Sequence, residues 1–222
     1  EHLHVHFATD SAFVAMLVRE LGGPSYSITA HAKDIYRSTV HPGLLSRFVE
    51  SSAFTVTVCD ANVQHMQGSL TEEASSRVRR LYNGIDLEQF LHSASDRVEG
   101  HVLMVGRLVP KKGIDILLEA LAILRRSGRP VRTTIVGTGE DEEKLRSMAT
   151  DLGLDGHVTF TGPLDQGAVR ELMHEATVFC LPCLVGEDGN RDALPTVLLE
   201  ALAVGLPCIS TPVTGIPEIL LA

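Results

Sequence analysis

The sequence predicts an α/β fold built on parallel sheets and divided into two units. Three observations predict it. From about residue 100 onward, short apolar runs alternate with amphipathic stretches of about 10–15 residues, the pattern of βαβ units. Several of the short runs end at a glycine: Gly106, Gly137 and Gly162. A polar, aperiodic stretch at 92–100 separates this regular half from a less regular α/β half before it.

Taken in order, residues 3–7 alternate with His2, His4 and His6 as a strand does. Residues 11–21 have helical character and are closed by Gly22, Gly23 and Pro24. Residues 26–29, 54–58 and 78–82 read as strands and 61–67 as a helix. After the linker, 102–105 is a strand ending at Gly106. Ile114, Leu117, Leu118, Leu121 and Leu124 mark a helix over 114–126. Then follow a strand at 131–136, a charged helix at 140–152 stopped by Gly153, and a strand at 158–160. A helix at 166–175, a strand at 178–181, a helix at 195–204 with Pro195 in its first turn, and a strand at 208–211 complete the pattern. Pro217 begins a further helix. The implied division is 1–91, a linker at 92–100, and 101–222. Both units read as incomplete. No strand with a glycine-rich turn precedes His2, and the second unit stops as a helix starts.

Composition limits the function. With 19 Lys and Arg against 28 Asp and Glu, the 222-residue chain has a net charge of −9. That balance excludes a sequence-independent nucleic-acid surface, which depends on cations neutralising phosphates. Hydrophobic residues at 44% give enough apolar surface to offset the entropy of ordering, so the chain is not disordered. No window approaches the ~20 apolar residues that cross a bilayer, and the opening Glu-His-Leu-His-Val-His lacks the basic start of a signal peptide. Cys180 and Cys183 form a lone CxxC. Lying in and after an apolar run, they read as core cysteines, with a redox or metal pair as the alternative.

Three places carry candidate chemistry, each at the carboxyl end of a strand or the start of a helix. In GRLVPKKG at 106–113, Arg107 and Lys112 lie five apart in a tight turn after Gly106 and before a helix. Two cations beside free helix amides make an anion site suited to a diphosphate; the alternative is a solvated basic turn. In 188–200, Asp192 and Glu200 stand eight apart across Pro195. Glu200 falls between Leu199 and Ala201 in an apolar helix, where a lone carboxylate needs a partner such as a diol, or reaches the solvent edge. In 29–34, His31 precedes Asp34 by three residues, a spacing that can fix one imidazole tautomer, or simply a surface turn. A metal held by His2, His4 and His6 is disfavoured because strand neighbours converge poorly. Gly137 and Gly139 lack the third glycine of a dinucleotide fingerprint.

In this order the motifs resemble the retaining glycosyltransferases of family 4. They comprise His4 to Ala8, Thr29 to Tyr36, Tyr82 to Asp86, 106–113, Val136 to Glu140, Arg191 to Ala203, and Gly215 to Glu218. The string around Arg191 is similar to members acting in bacterial exopolysaccharide synthesis. The resemblance implies the GT-B fold, two Rossmann-like domains with parallel sheets facing across a cleft, the first acceptor-side and the second nucleotide-sugar-binding. It implies transfer of a hexose from a nucleotide-diphospho-sugar, such as a UDP- or GDP-hexose, to a glycan or lipid-linked acceptor. It implies no cofactor and no metal, matching the absence of an Asp-x-Asp element. Location would be cytoplasmic, with at most peripheral membrane association at the inner face.

Carried over by position, the resemblance places Arg107 and Lys112 on the donor diphosphate, beside Gly106. Glu200 falls on the ribose hydroxyls, with Thr196 and Val197 touching phosphate or sugar through their backbone. His31 and Asp192 would stand at the reaction centre. Asp192 departs from the family's Glu by one methylene, so Glu187 or Asp188 are secondary candidates for the sugar contact, and Asp34 for orienting His31. The family's glycine-rich first loop and last crossing helices are not visible, so a chain of this extent alone would transfer weakly or not at all. Two rival readings are a non-catalytic nucleotide-sugar-binding module and a GT-B sugar-nucleotide epimerase.

Overall fold

The computed structural model describes residues 1–90 and 97–220. They form two compact units that interleave along the sequence. The first comprises Glu1–Gly84, Val185–Leu194 and Pro212–Ala222; the second comprises Ile85–Leu184 and Pro195–Thr211. The sequence reading placed one cut near 91–101. Instead, residues 85–90 join the second unit, and two later segments return to the first. The expected linker at 92–100 lies partly outside the described residues.

The first unit runs β1 (His2–His6), α1 (Asp10–Glu20), β2 (Ser25–Ala30), α2 (Lys33–Tyr36), α3 (Pro42–Ser51), β3 (Thr55–Thr57), α4 (Asp60–Ser69), α5 (Glu72–Ser75) and β4 (Val78–Arg80). Its strands are parallel in the order β1-β2-β3-β4. Its core gathers Met16, Tyr26, Ile28, Phe48, Val49 and Met66, all nearly or wholly buried. The α3 helix starts where His41 caps it through Nδ1, which accepts from the Leu44 amide at 3.3 Å, with Pro42 in its first turn.

His2, His4 and His6 face the hydroxyls of β2, as their register with Ser25, Ser27 and Thr29 dictates. The His2 ring nitrogens meet Ser25 and Ser27 at 2.8 and 2.9 Å, and those of His4 meet Ser27 and Thr29 at 2.7 and 2.8 Å. Among the described residues, no group of three or more His, Cys, Asp or Glu is placed to hold a metal ion.

The second unit runs β5 (His101–Val105), α6 (Ile114–Arg126), β6 (Arg132–Val136), α7 (Glu142–Asp151), β7 (Val158–Gly162), α8 (Gln166–Glu175), β8 (Val178–Leu181), α9 (Thr196–Ala203) and β9 (Cys208–Ser210). All strands are parallel, in the order β7-β6-β5-β8-β9. The central β5 is buried at four of its five positions, as expected for a strand covered on both faces. The α6 helix buries Ile114, Leu117, Leu118 and Leu121, the stripe its periodicity marked.

Two expectations are corrected. Pro195 is the N-cap of α9 rather than a residue of its first turn. The helix expected from Pro217 is a single 3-10 turn at Ile216–Glu218 among the described residues. Cys183 is buried and Cys180 half-buried, and the CxxC does not form a disulfide. No helix among the described residues is long and apolar enough to cross a membrane.

Candidate functional site

Strand order fixes where a ligand belongs in the second unit. From β5 the chain winds outward through β6 and β7, then β8 returns on the other flank of β5. The crevice beyond the carboxyl ends of β5 and β8 is therefore a topological switch point, where ligands bind in open parallel sheets. The first unit's order, β1-β2-β3-β4, contains no such reversal among the described residues.

The 106–113 loop leaves β5 at that point and is fixed from two sides. On one side, the Gly106 amide donates to the Val136 carbonyl at 3.0 Å and the Leu108 amide to the Thr138 carbonyl at 3.0 Å. Gly137, at φ +127°, lies so close that a Cβ there would stand 2.0 Å from the Gly106 carbonyl oxygen. On the other side, the Leu184 amide donates to the Lys111 carbonyl at 2.8 Å, and Gly113 sits at φ +61° with no room for a Cβ beside Pro182. Leu108 is buried while Arg107 is exposed, so the loop is anchored by one residue and presents its neighbour. Lys112 is half-buried, and its stem passes Gly106: a Cβ there would be 3.5 Å from Lys112 Cε.

Beyond β8, α9 opens at Pro195 without a side-chain cap, which leaves its first amides for another acceptor. Thr196, Val197 and Glu200 share one helical face, three and four residues apart. Glu200 is half-buried, and among the described residues its carboxylate has neither hydrogen bond nor ion pair. Burial alone raises its pKa above the ordinary glutamate range. An acid in that state is short of donors, which a vicinal diol supplies. The second unit thus brings together Gly106, Arg107, Lys112, Thr196, Val197 and Glu200 on the flanks of one switch point.

The remaining sequence candidates belong to the first unit. His31 follows β2, half-buried, with Nε2 3.3 Å from His6 Nδ1 and its ring 4.5 Å from that of Phe7. Burial lowers its pKa, opposed by the charge of Asp34. Asp34 does not hold the His31 ring, as its spacing suggested. Its carboxylate accepts from two backbone amides, Ala8 at 2.6 Å and His31 at 2.8 Å. It therefore pins the His31 backbone to the corner after β1, where Phe7 adopts φ +70°, rare for a non-glycine residue. Burial raises the Asp34 pKa and these two bonds pull it partly back.

Asp192 and Glu187 lie in Val185–Leu194, the segment grouped with the first unit. Asp192 is half-buried and Glu187 exposed. Asp188 is occupied structurally. It pairs with Arg37 at 3.1 Å, its carboxylate caps the Asn190 amide, and its carbonyl accepts from Ser38. Arg191 stacks 4.3 Å from the Tyr36 ring centroid. Sequence reasoning passed over Lys33, Arg37 and His41, which line one cleft of the first unit and resemble any solvated surface when read as a string.

The family described as Glycosyl transferases group 1 matches residues 89–222. The chain belongs to this family. The amylovoran biosynthesis glycosyltransferase AmsK of Erwinia amylovora is 36% identical over 139 residues, 62% of this chain and 34% of AmsK. The putative colanic acid biosynthesis glycosyltransferase WcaL of Salmonella typhimurium is 34% identical over 140 residues, again 62% of this chain and 34% of the relative. The chain thus spans about a third of the length of these curated relatives. Among solved structures, Anabaena HepE in complex with UDP and glucose superposes with TM-score 0.78 at 18% identity, over 99% of this chain and 62% of HepE. Sucrose-phosphate synthase from Thermosynechococcus elongatus gives TM-score 0.81 at 20% identity, over 98% of this chain and 58% of that one. The fold is GT-B.

Proposed function

We propose that the chain is the working part of a retaining glycosyltransferase. It would move a hexose from a nucleotide-diphospho-sugar to a glycan or lipid-linked acceptor in the synthesis of an exopolysaccharide or other cell-surface polysaccharide. The observation that carries this reading is the set of groups on one switch point: two cations, uncapped helix amides and an unpartnered half-buried carboxylate. A diphosphate satisfies the first two and a ribose the third.

In this reading Arg107 and Lys112 bind the donor diphosphate, and the α9 amides at Thr196 and Val197 share its charge. Glu200 accepts from the ribose hydroxyls. As the glycosidic bond breaks, charge builds on the departing diphosphate, where preorganised cations and amides stabilise it most. These residues need no metal for that step, and none is proposed. His31 and Asp192 are assigned to the sugar and the reaction centre, with Asp192 in the place of a longer acid. AmsK and WcaL, named for amylovoran and colanic acid biosynthesis, support the polysaccharide class. A GDP-mannose-dependent relative and UDP-bound HepE leave the nucleotide base to be decided by binding. The proposed location is the cytoplasm, peripheral to the inner face of the membrane.

Calorimetric titration of UDP and GDP tests the donor site. One nucleotide should bind, and Lys112→Ala should weaken it about tenfold or more, the value of a lost charge-assisted contact. Failure of both to bind sinks the donor site. Binding with no donor hydrolysis or transfer points to a nucleotide-sugar-binding module.

A further inference from the structure

We propose that Asp188 and Arg191 are positioning residues for the donor's sugar: with α2 as their base, they hold Asp192 in register with His31. The inference rests on the donor-site reading above and extends it from the nucleotide to the sugar. Every contact that carries it lies within the first unit.

An aspartate carries its carboxylate on a short side chain with few rotamers, so the backbone beneath decides where the charge goes. Placing Asp192 against a sugar is then a demand on the segment that carries it, because small misplacements of a binding group are costly. Both chain neighbours of Asp192 are anchored. On one side, the Arg191 guanidinium lies 4.3 Å from the Tyr36 ring centroid, and its Nε donates to the Gly189 carbonyl at 3.0 Å. Tyr36 is itself held. Its ring packs 4.2 Å from that of His65, its hydroxyl donates to the Ala61 carbonyl at 3.3 Å, and His65 Nε2 donates to the Ile35 carbonyl at 2.9 Å. On the other side, the Ala193 carbonyl accepts from the Gly215 amide at 2.9 Å, and Gly215 is pressed against Cys59.

Asp188 fixes the turn that leads to Arg191. Its Oδ2 meets Arg37 Nε at 3.1 Å, its Oδ1 accepts from the Asn190 amide at 2.9 Å, and its carbonyl accepts from the Ser38 amide at 2.8 Å. Gly189 follows at φ +79°, so close that a Cβ there would lie 2.5 Å from the Tyr36 carbonyl oxygen. The ties therefore land on Tyr36, Arg37 and Ser38, at and just after the end of α2. The start of α2 holds His31, whose amide donates to Asp34 at 2.8 Å. One short element thus sets the backbone of both residues assigned to the reaction centre. Convergence on consecutive residues is what registration needs and what packing alone does not require. The Asp188 and Arg37 side chains are 49 and 42% exposed, and an ion pair of that kind adds little to stability.

Calorimetry on the full chain with UDP, GDP, UDP-glucose, UDP-galactose and GDP-mannose tests this. The readout is the affinity of a nucleotide-sugar divided by that of its nucleotide, which cancels changes at the diphosphate. Asp192→Ala should lower that ratio about tenfold, the value of a lost charge-assisted contact. Asp188→Ala and Arg191→Ala should each lower it about threefold or more, with the bare nucleotide within about twofold of the parent. Arg47→Ala, which breaks an exposed ion pair with Glu20 elsewhere in the unit, should leave both quantities unchanged. Asp188→Ala decides the matter if Arg191→Ala does not fold. An unchanged ratio in Asp188→Ala while Asp192→Ala lowers it overturns the proposal. So does an unchanged ratio in Asp192→Ala, or nucleotide-sugars that fail to bind where the nucleotide binds, since nothing is then positioned. A fall in nucleotide and nucleotide-sugar affinity alike makes the contacts structural and overturns it too. If neither nucleotide binds the parent, the donor site fails and this inference falls with it; nucleotide binding with an unmoved ratio counts against this inference alone.

Discussion

Glu200 is held by the fold in a state that folding does not favour. It sits half-buried on α9 between Leu199 and Ala201, and burial lifts its pKa above the ordinary glutamate value of 4.5. A raised folded-state pKa means the native chain binds the proton more tightly than the unfolded chain. The ionised group therefore costs stability: nothing well below pH 4.5, rising as pH climbs from there through the folded pKa, and in full above it. Glu200→Gln removes that cost, so the variant should have a higher Tm than the parent at pH 7 and lose the difference near pH 4. In the proposed donor site the same change removes the acceptor for a ribose diol, so nucleotide affinity should fall about tenfold or more. Thermal unfolding at the two pH values and calorimetry measure the two effects. A variant no more stable than the parent at pH 7 would show that Glu200 is solvated, and unchanged affinity would remove it from the donor site.

At the scale of elements, what was legible in the sequence was what is encoded locally. Ile114 to Leu121 carry the α6 stripe within one window, and the apolar runs ending at Gly106 and Gly137 mark strands leading into turns. The placement of Arg107, Lys112 and Glu200 was readable for the same reason: each follows a strand or rides a helix that declares itself. The α3 helix was not, because Pro and Gly are adjacent at its start, a pair that ordinarily punctuates turns, while here His41 caps the helix and Pro42 begins it. The role of Asp34 was hidden because it binds amides, which no side-chain pattern reveals. The role of Gly137 was hidden too: it lies 31 residues from Gly106, and only the pairing of β5 with β6 brings them together. Gly137→Ala sets a Cβ into that contact at a φ unfavourable for an L-residue. It should cost about 1–3 kcal/mol in backbone strain, with more from the clash. Gly128→Ala, also at positive φ but facing open space, isolates the conformational part at about 1 kcal/mol. Urea denaturation compares them. Nucleotide affinity should fall only for Gly137→Ala, because only that change moves the 106–113 loop. Equal cost at both positions would show that the loop yields without resistance.

At the scale of the whole chain, the deciding feature is that each unit is discontinuous in sequence. Residues 185–194 and 212–222 belong with 1–84, so the first unit draws on segments far downstream of its strands. Glu218 shows what the returning segment supplies. Its carboxylate accepts from the Asp60 and Ala61 amides at 2.9 Å each, capping α4, and from the Tyr82 hydroxyl at 2.9 Å. Gly215, close against Cys59, has no space for a side chain. No local pattern encodes such a return, so the sequence reading drew one cut where the molecule has several. A fragment of residues 1–84 should therefore unfold at a markedly lower Tm than the first unit does within the full chain. In the full chain, Glu218→Ala should destabilise the first unit by about 1–2 kcal/mol, the value of a lost helix cap. Hydrogen exchange can localise the effect: amides of α4 and β4 should lose protection while those of β5 and α6 keep theirs. If the fragment is as stable as the unit in the full chain, or if Glu218→Ala leaves α4 as protected as before, the returning segment is an ornament and the first unit is complete by residue 84.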